Sequence, residues 1–152
     1  LYLSKLVIKG FRRLEHLEMR FREGLNVLVG PNNAGKTAIV DALRVLLSTG
    51  EEGALRLSEY DLHVSKGGVR SAEASFEYVF RGLSADEEAD FLTALRPVTT
   101  ATGLEYEAHL SVRYASADLG GRLKIKRWCG SHEGRIQPVD AIVWLNRSAG
   151  VS

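Results

Sequence analysis

The chain carries one cysteine, Cys129, so it can close no internal disulfide and build no cysteine-only metal site. That fits a reducing compartment, and a cytoplasmic protein is expected. The plain role of Cys129 is a small apolar residue beside Trp128. Charge of one sign is also missing. Lys and Arg total 20 against 19 Asp and Glu, for a net charge of +1. No global field therefore draws the chain to nucleic acid or to a membrane surface. No apolar run approaches the roughly 20 residues that cross a bilayer, and no secretory leader is visible. No repeat and no low-complexity linker divides the chain. Its 152 residues suit one domain or part of a larger one. The first residue is Leu1 rather than Met, which is compatible with a fragment.

What is present is concentrated early. Residues Gly30 to Thr37 read Gly-Pro-Asn-Asn-Ala-Gly-Lys-Thr, a full G-x-x-x-x-G-K-[ST] loop. Such a loop curls so that backbone N–H groups point at phosphate oxygens. Lys36 supplies charge for the β- and γ-phosphates, and Thr37 a hydroxyl for Mg²⁺. The helix that follows adds partial positive charge at the same end. The candidate nucleotide contacts are Gly30, Pro31, Asn32, Asn33, Ala34, Gly35, Lys36, Thr37 and Ala38. Lys36 is also the candidate catalytic residue, and Thr37 the candidate metal ligand. The implied cofactors are ATP and Mg²⁺.

The flanks suit this reading. Leu25-Asn26-Val27-Leu28-Val29 is a short apolar run ending at Gly30, which predicts a buried strand. Ile39, Val40, Leu43, Leu46 and Leu47 then recur at helical spacing, with Gly50 as the stop. Upstream, Leu3 to Ile8 predicts a strand ending at Gly10, and Leu14 to Phe21 a second. Together they predict a hairpin beside the loop's own strand. Thr49 to Gly68 reads as loop, and Ala72 to Phe80 alternates as a half-buried strand. Ser84-Ala85-Asp86-Glu87 is a capping box, opening a helix that should run to about Leu95 before Pro97. Leu104 to Tyr114 and Arg122 to Cys129 read as strands joined around Gly120-Gly121. Ala141 to Leu145 is another short apolar run. The expected fold is α/β, a P-loop strand–helix unit with antiparallel strands following it.

The segment from Leu3 to Leu47 carries a resemblance: an opening strand, Gly10-Phe11-Arg12, a second strand, "GLNVLVG", "GPNNAGKT" and "AIVDAL". It resembles the N-terminal segment of ABC-type ATPases of the RecF/SMC class. Within that class it looks most like the OLD (overcoming lysogenization defect) family, whose ATPase is joined to a Toprim nuclease domain. The resemblance implies that residues 1–152 are the N-terminal part of an ABC-type ATPase domain. It implies paired heads enclosing ATP, a homodimer, and action on DNA through the intact protein. It also implies that Arg12 approaches the nucleotide. Read from the residues alone, Arg12 and Arg13 are surface charges. Two other readings stand beside it. One is a RecF- or SMC-type repair or chromosome-maintenance ATPase without nuclease. The other is a nucleotide-sensing DNA-binding module without hydrolysis.

The departures matter as much. A Leu-Ser-Gly-Gly-type signature is absent, and no apolar run ends in Asp-Glu. Phosphoryl transfer needs a positioned water and charge stabilisation beyond the loop. The isolated chain is therefore expected not to hydrolyse ATP. Other candidates are thin. Gln137 is either a polar residue before Pro138 or a metal-touching glutamine. Asp61 and His63 fall short of a metal set and read as capping or solvated residues. His16, His109 and His132 are isolated. Glu51-Glu52 and Glu87-Glu88 read as solvated surface. Lys124-Ile125-Lys126-Arg127-Trp128 reads as an exposed strand face, or as a track for a nucleic-acid backbone.

Overall fold

Alternating side chains build most of this protein. Leu6 and Ile8, then Ala74, Phe76, Tyr78 and Phe80, then Ala108, Leu110, Val112 and Tyr114 all point to one face and are buried. Their partners in alternation are mostly polar, so each segment is half-buried strand. The computed structural model describes residues 1–31, 35–47, 56–117 and 122–130. Six strands form one sheet: β1 (Tyr2–Phe11), β2 (Leu14–Arg20), β3 (Glu73–Arg81), β4 (Leu95–Thr100), β5 (Gly103–Ser116) and β6 (Leu123–Cys129). The order is β2-β1-β3-β5-β4, with β6 also paired to β5. Every pairing is antiparallel. The long β5 holds β4 along residues 103–108 and β6 along residues 110–116 of the same edge.

Helix α1 (Lys36–Leu47) covers the apolar face. Its Ala38, Ile39, Ala42, Val45 and Leu46 share one cluster with the sheet residues. The buried Tyr78 hydroxyl donates to the Ala42 carbonyl at 2.5 Å and pins helix to sheet. Phe76 lies edge-on between Phe11 at 5.0 Å and Tyr114 at 6.0 Å, which suits aromatic quadrupoles. Helix α2 (Ala85–Asp90) links β3 to β4 and opens on the expected box. Glu87 N–H donates to Ser84 Oγ, and Ser84 N–H to the Glu87 carboxylate. Glu87 is thus a capping group rather than only a solvated one, and it lies 3.8 Å from the N-terminal amine.

The structure corrects several expectations. Residues 25–29 form no strand; Leu25 and Val29 are each 90% exposed. A strand needs a neighbour for its N–H and C=O groups, and among the described residues none lies beside this run. The hairpin consequently does not sit beside a loop strand; β1 lies between β2 and β3. The helix expected to reach Leu95 ends at Asp90 and gives way to a short 3-10 turn at Leu92–Ala94. Strand β4 follows and was not expected, since Pro97 and its polar neighbours mask it. As an edge strand β4 tolerates the missing N–H. The expected loop 49–68 contains a 3-10 turn at Glu59–Asp61. Gly120-Gly121, Ala141 to Leu145, Glu51-Glu52, Gly50, His132 and Gln137 lie outside the described residues.

Candidate nucleotide site

Helix α1 begins at Lys36, so the Gly-Lys-Thr end of the loop is the helix N-terminus. The first helical bond runs from Ile39 N–H to the Gly35 carbonyl at 3.1 Å. Gly35 has φ +90°, a conformation that penalises any Cβ. A Cβ there would also press on Leu14 Cδ2 at 3.2 Å. The first turn of α1 holds no acidic side chain, and Arg44 sits in its last turn. The first feature leaves the positive N-terminal end open to an anion, and the second complements the negative C-terminal end. Lys36 Nζ donates back to the Gly30 carbonyl, so the ammonium closes the loop from end to end. Thr37 is exposed and Ala38 is buried against the sheet. Pro31 is exposed, and Asn32, Asn33 and Ala34 lie outside the described residues. A permissive glycine, a helix N-terminus and a cation at its mouth fit a phosphate chain.

Arg12 is the one non-glycine described residue with positive φ, at +50°. Such a backbone costs about 1–2 kcal/mol, so the turn must hold it. Arg12 Nη1 donates to Asp41 Oδ2 at 2.5 Å and Nε to Asp61 Oδ1 at 2.9 Å. Its guanidinium carbon also lies 4.8 Å from the centre of the Phe11 ring. Burial works against the Arg12 charge, yet the hydrogen bonds of Asp41 and Asp61 outweigh it and raise its pKa. Arg12 is thus a tie between the hairpin turn, the P-loop helix and the 58–63 segment. Asp41 was missed in the sequence, where only its place among the apolar residues of α1 hinted at a special partner. Asp61 does cap, accepting from Ser58 N–H at 2.9 Å. His63 Nδ1 lies 2.7 Å from the Arg12 carbonyl. No group of three or more metal-ligating side chains occurs among the described residues.

The sheet face away from α1 is charged and organised in rows. Register places His16, Lys9, Ser75, Arg113 and Lys126 side by side across strands β2, β1, β3, β5 and β6. At about 4.8 Å per strand this basic row is roughly 19 Å long. The next row reads Glu18, Val7, Glu77, Ser111, Trp128. Within Lys124–Trp128, Lys124, Lys126 and Trp128 all fall on this face by the alternation of β6. Lys124 and Lys126 are exposed, whereas Trp128 is buried with Arg113 at 5.1 Å from its ring. Cys129 is buried, and burial pushes its thiol up to about 11, as an inert apolar role requires.

His109 is buried between two carboxylates, Glu77 at 3.2 Å and Glu107 at 3.1 Å. The His109 hydrogen bond is the main cause holding Glu77 below the usual carboxylate range, with burial opposing it. A lowered carboxylate stabilises the fold above its unfolded pKa and loses that effect as pH falls through its folded one. His109→Gln is expected to move Glu77 upward in a carboxyl NMR titration. An unmoved Glu77 would rule out the contact as its cause.

A glycine loop opening a helix, seated on an antiparallel sheet, defines a P-loop ATPase lobe with the fold of an SMC head. A solved structure from work on ATP-driven dimerization and DNA stimulated activation of SMC ATPases matches with a TM-score of 0.67. The match covers 100% of this chain and 81% of that one at 22% identity. An SmcHead bound to the C-winged helix domain of ScpA matches with a TM-score of 0.66 at 24% identity, covering 100% of this chain and 41% of that one. The chain belongs to the AAA ATPase domain family, whose model matches residues 1–99. ATP is the nucleotide that such a domain takes. Among curated relatives, the chromosome partition protein Smc of Chlorobaculum tepidum is 36% identical over 80 residues, covering 52% of this chain and 7% of that one. The DNA replication and repair protein RecF of Erwinia tasmaniensis is 33% identical over 76 residues, covering 47% and 21%. The DNA double-strand break repair Rad50 ATPase of Methanopyrus kandleri is 44% identical over 45 residues, covering 30% and 5%. The chain thus spans about a fifth or less of these relatives' length. No helix among the described residues is long and apolar enough to cross a membrane.

Proposed function

We propose that this chain is the N-terminal, ATP-binding part of a longer RecF/SMC-class ATPase that acts on DNA. The carrying observation is the P-loop helix, with its N-terminus free of acidic side chains, mounted on an SMC-head-like sheet. Gly30, Gly35 and the loop amides hold the phosphates, Lys36 neutralises β- and γ-charge, and Thr37 ligates Mg²⁺. The exposed apolar run 25–29 supports completion of the head by strands from elsewhere in the protein. Water-activating acids and a signature motif would come with that remainder, and two ATP-bound heads would form a homodimer. Isolated residues 1–152 are then expected to release no phosphate from ATP, with or without DNA. Rapid release would overturn the composite-site reading.

The finer reading joins this ATPase to a Toprim nuclease, as in the OLD family, and rests on the Leu3–Leu47 resemblance. The similarity to Smc, RecF and Rad50 supports the coarser reading, a DNA repair or chromosome-maintenance ATPase, and the alternative to the Toprim reading is such an ATPase without nuclease. Cleavage of plasmid DNA by the full-length protein with Mg²⁺ and ATP separates the two. ATP-tightened DNA binding without phosphate release in the full-length protein would instead favour the non-hydrolytic module.

The basic row is the surface best suited to a phosphate backbone. Lys9→Glu with Lys126→Glu is expected to weaken duplex binding by the full-length protein and to flatten its salt dependence by about one unit of slope per lost contact. An unchanged slope would remove the row from the interface.

A further inference from the structure

Strand β1 changes register at Ser4. Leu3 opposes Phe80 and Lys5 opposes its neighbour Val79, so Ser4 is the extra residue of a bulge. Plain alternation would send Lys5 into the core beside Leu3. The bulge places it on the charged face instead, directly opposite Arg20 of β2. Two cations facing each other across a ladder repel. Both line a cavity of about 140 Å³, with Tyr2, Ser4, Arg81 and Glu107 around it. A cavity of about 150 Å³ admits a molecule the size of benzene, so a phosphate group fits here.

The charges lining this cavity do not balance. Arg81 Nη2 donates to Glu105 at 3.0 Å, and Nε lies 3.6 Å from Glu107. Glu107 also meets His109 at 3.1 Å. Arg20 pairs with Glu18 at 3.0 Å, but both side chains are exposed and such a pair contributes little. Lys5 is half-buried and makes no hydrogen bond or ion pair among the described residues. Its charge reaches Glu77, yet His109 already holds that carboxylate. An ammonium drawn out of water without a partner is costly, and an anion between Lys5 and Arg20 removes that cost and their repulsion together.

We propose that the Ser4 bulge builds an anion site in which Lys5 and Arg20 bind a phosphate group, free or carried on a small phosphorylated molecule. A phosphate carries about −1.5 to −2 charge at neutral pH, which matches these two cations. A single carboxylate would leave one of them uncompensated. Lys5 acts as a point charge and Arg20 as a planar fork on two oxygens. Ser4 Oγ already donates to the Val79 carbonyl at 3.2 Å, so it shapes the wall and gives no proton to the ligand. The site lies on the sheet face away from α1, apart from Gly30 to Thr37, and stands independently of the nucleotide reading.

Calorimetric titration of the full-length protein with inorganic phosphate tests this, in a chloride buffer with saturating non-hydrolysable ATP analogue to fill the P-loop. Ribose 5-phosphate is titrated in a second arm. Lys5→Gln should weaken phosphate by about tenfold or more, the value of one charge-assisted hydrogen bond. Lys5→Arg should restore most of the affinity. Arg20→Gln, at an exposed position, should weaken it by about threefold or more and reads the site if Lys5→Gln does not fold. Lys9→Gln, outside the cavity, should stay within about twofold. Tighter binding of ribose 5-phosphate assigns the site to a phosphorylated molecule, and equal binding assigns it to the free ion. No phosphate uptake by the wild type, or uptake that Lys5→Gln and Arg20→Gln leave unchanged, overturns the site. Weaker duplex binding in Lys5→Gln without phosphate uptake by the wild type gives the cavity to a nucleic-acid backbone and overturns it as well.

Discussion

Gly10→Ala is expected to destabilise the fold by about 2–5 kcal/mol, from left-handed strain plus overpacking. Gly10 has φ +67°, and a Cβ there would overlap the Glu73 carbonyl oxygen at the start of β3. Backbone on both sides is fixed, so neither can step aside. Gly10 gives its carbonyl to His63 N–H, and Phe11 beside it is fully buried. Relief by moving the turn would therefore unseat Phe11 and pull Arg12 from Asp41 and Asp61. A loss of this size is a large part of a typical domain's 5–15 kcal/mol. Urea unfolding of residues 1–152 followed by circular dichroism measures it. A loss below about 1 kcal/mol would mean that the turn has another way to settle, since such a value is ordinary for any substitution.

The same turn shows what was legible in the sequence. Strands β1, β3 and β5 announce themselves through alternation, because each lays one face on the core. The P-loop helix was legible from motif and period together. Residues 25–29 were misread for a physical reason. An apolar run states that burial is favourable, not that a partner is available, and here Leu25, Val27 and Val29 face outward. Strand β4 was illegible because Arg96, Pro97, Thr99 and Thr100 lack an apolar period; it exists through its ladder to β5. The Arg12 tie was hidden by distance along the chain, 29 residues to Asp41 and 49 to Asp61. His109 looked isolated for the same reason, since Glu77 lies 32 residues away on β3. Local pattern reads elements; ion pairs between elements need the register.

Lys36→Ala is expected to weaken ATP binding by about 10- to 100-fold, the value of one or two charge-assisted hydrogen bonds lost at a phosphate. Adenosine, which lacks phosphates, should bind wild type and variant alike. The contrast matters because Lys36 has a structural contact too, its Nζ on the Gly30 carbonyl. If that contact were its whole role, truncation would loosen the loop and weaken both ligands together. Gly30 is only half-buried, so water can replace the ammonium on its carbonyl. The cost to the fold should then stay within about 0.5 kcal/mol, as for other surface substitutions. Titration calorimetry with ATP, ADP and adenosine on the full-length protein decides the matter. Loss that grows with phosphate number places Lys36 on the β- and γ-phosphates. Equal ATP affinity in wild type and variant would remove Lys36 from the site, and with it the strongest reason to call Gly30 to Thr37 a phosphate clamp.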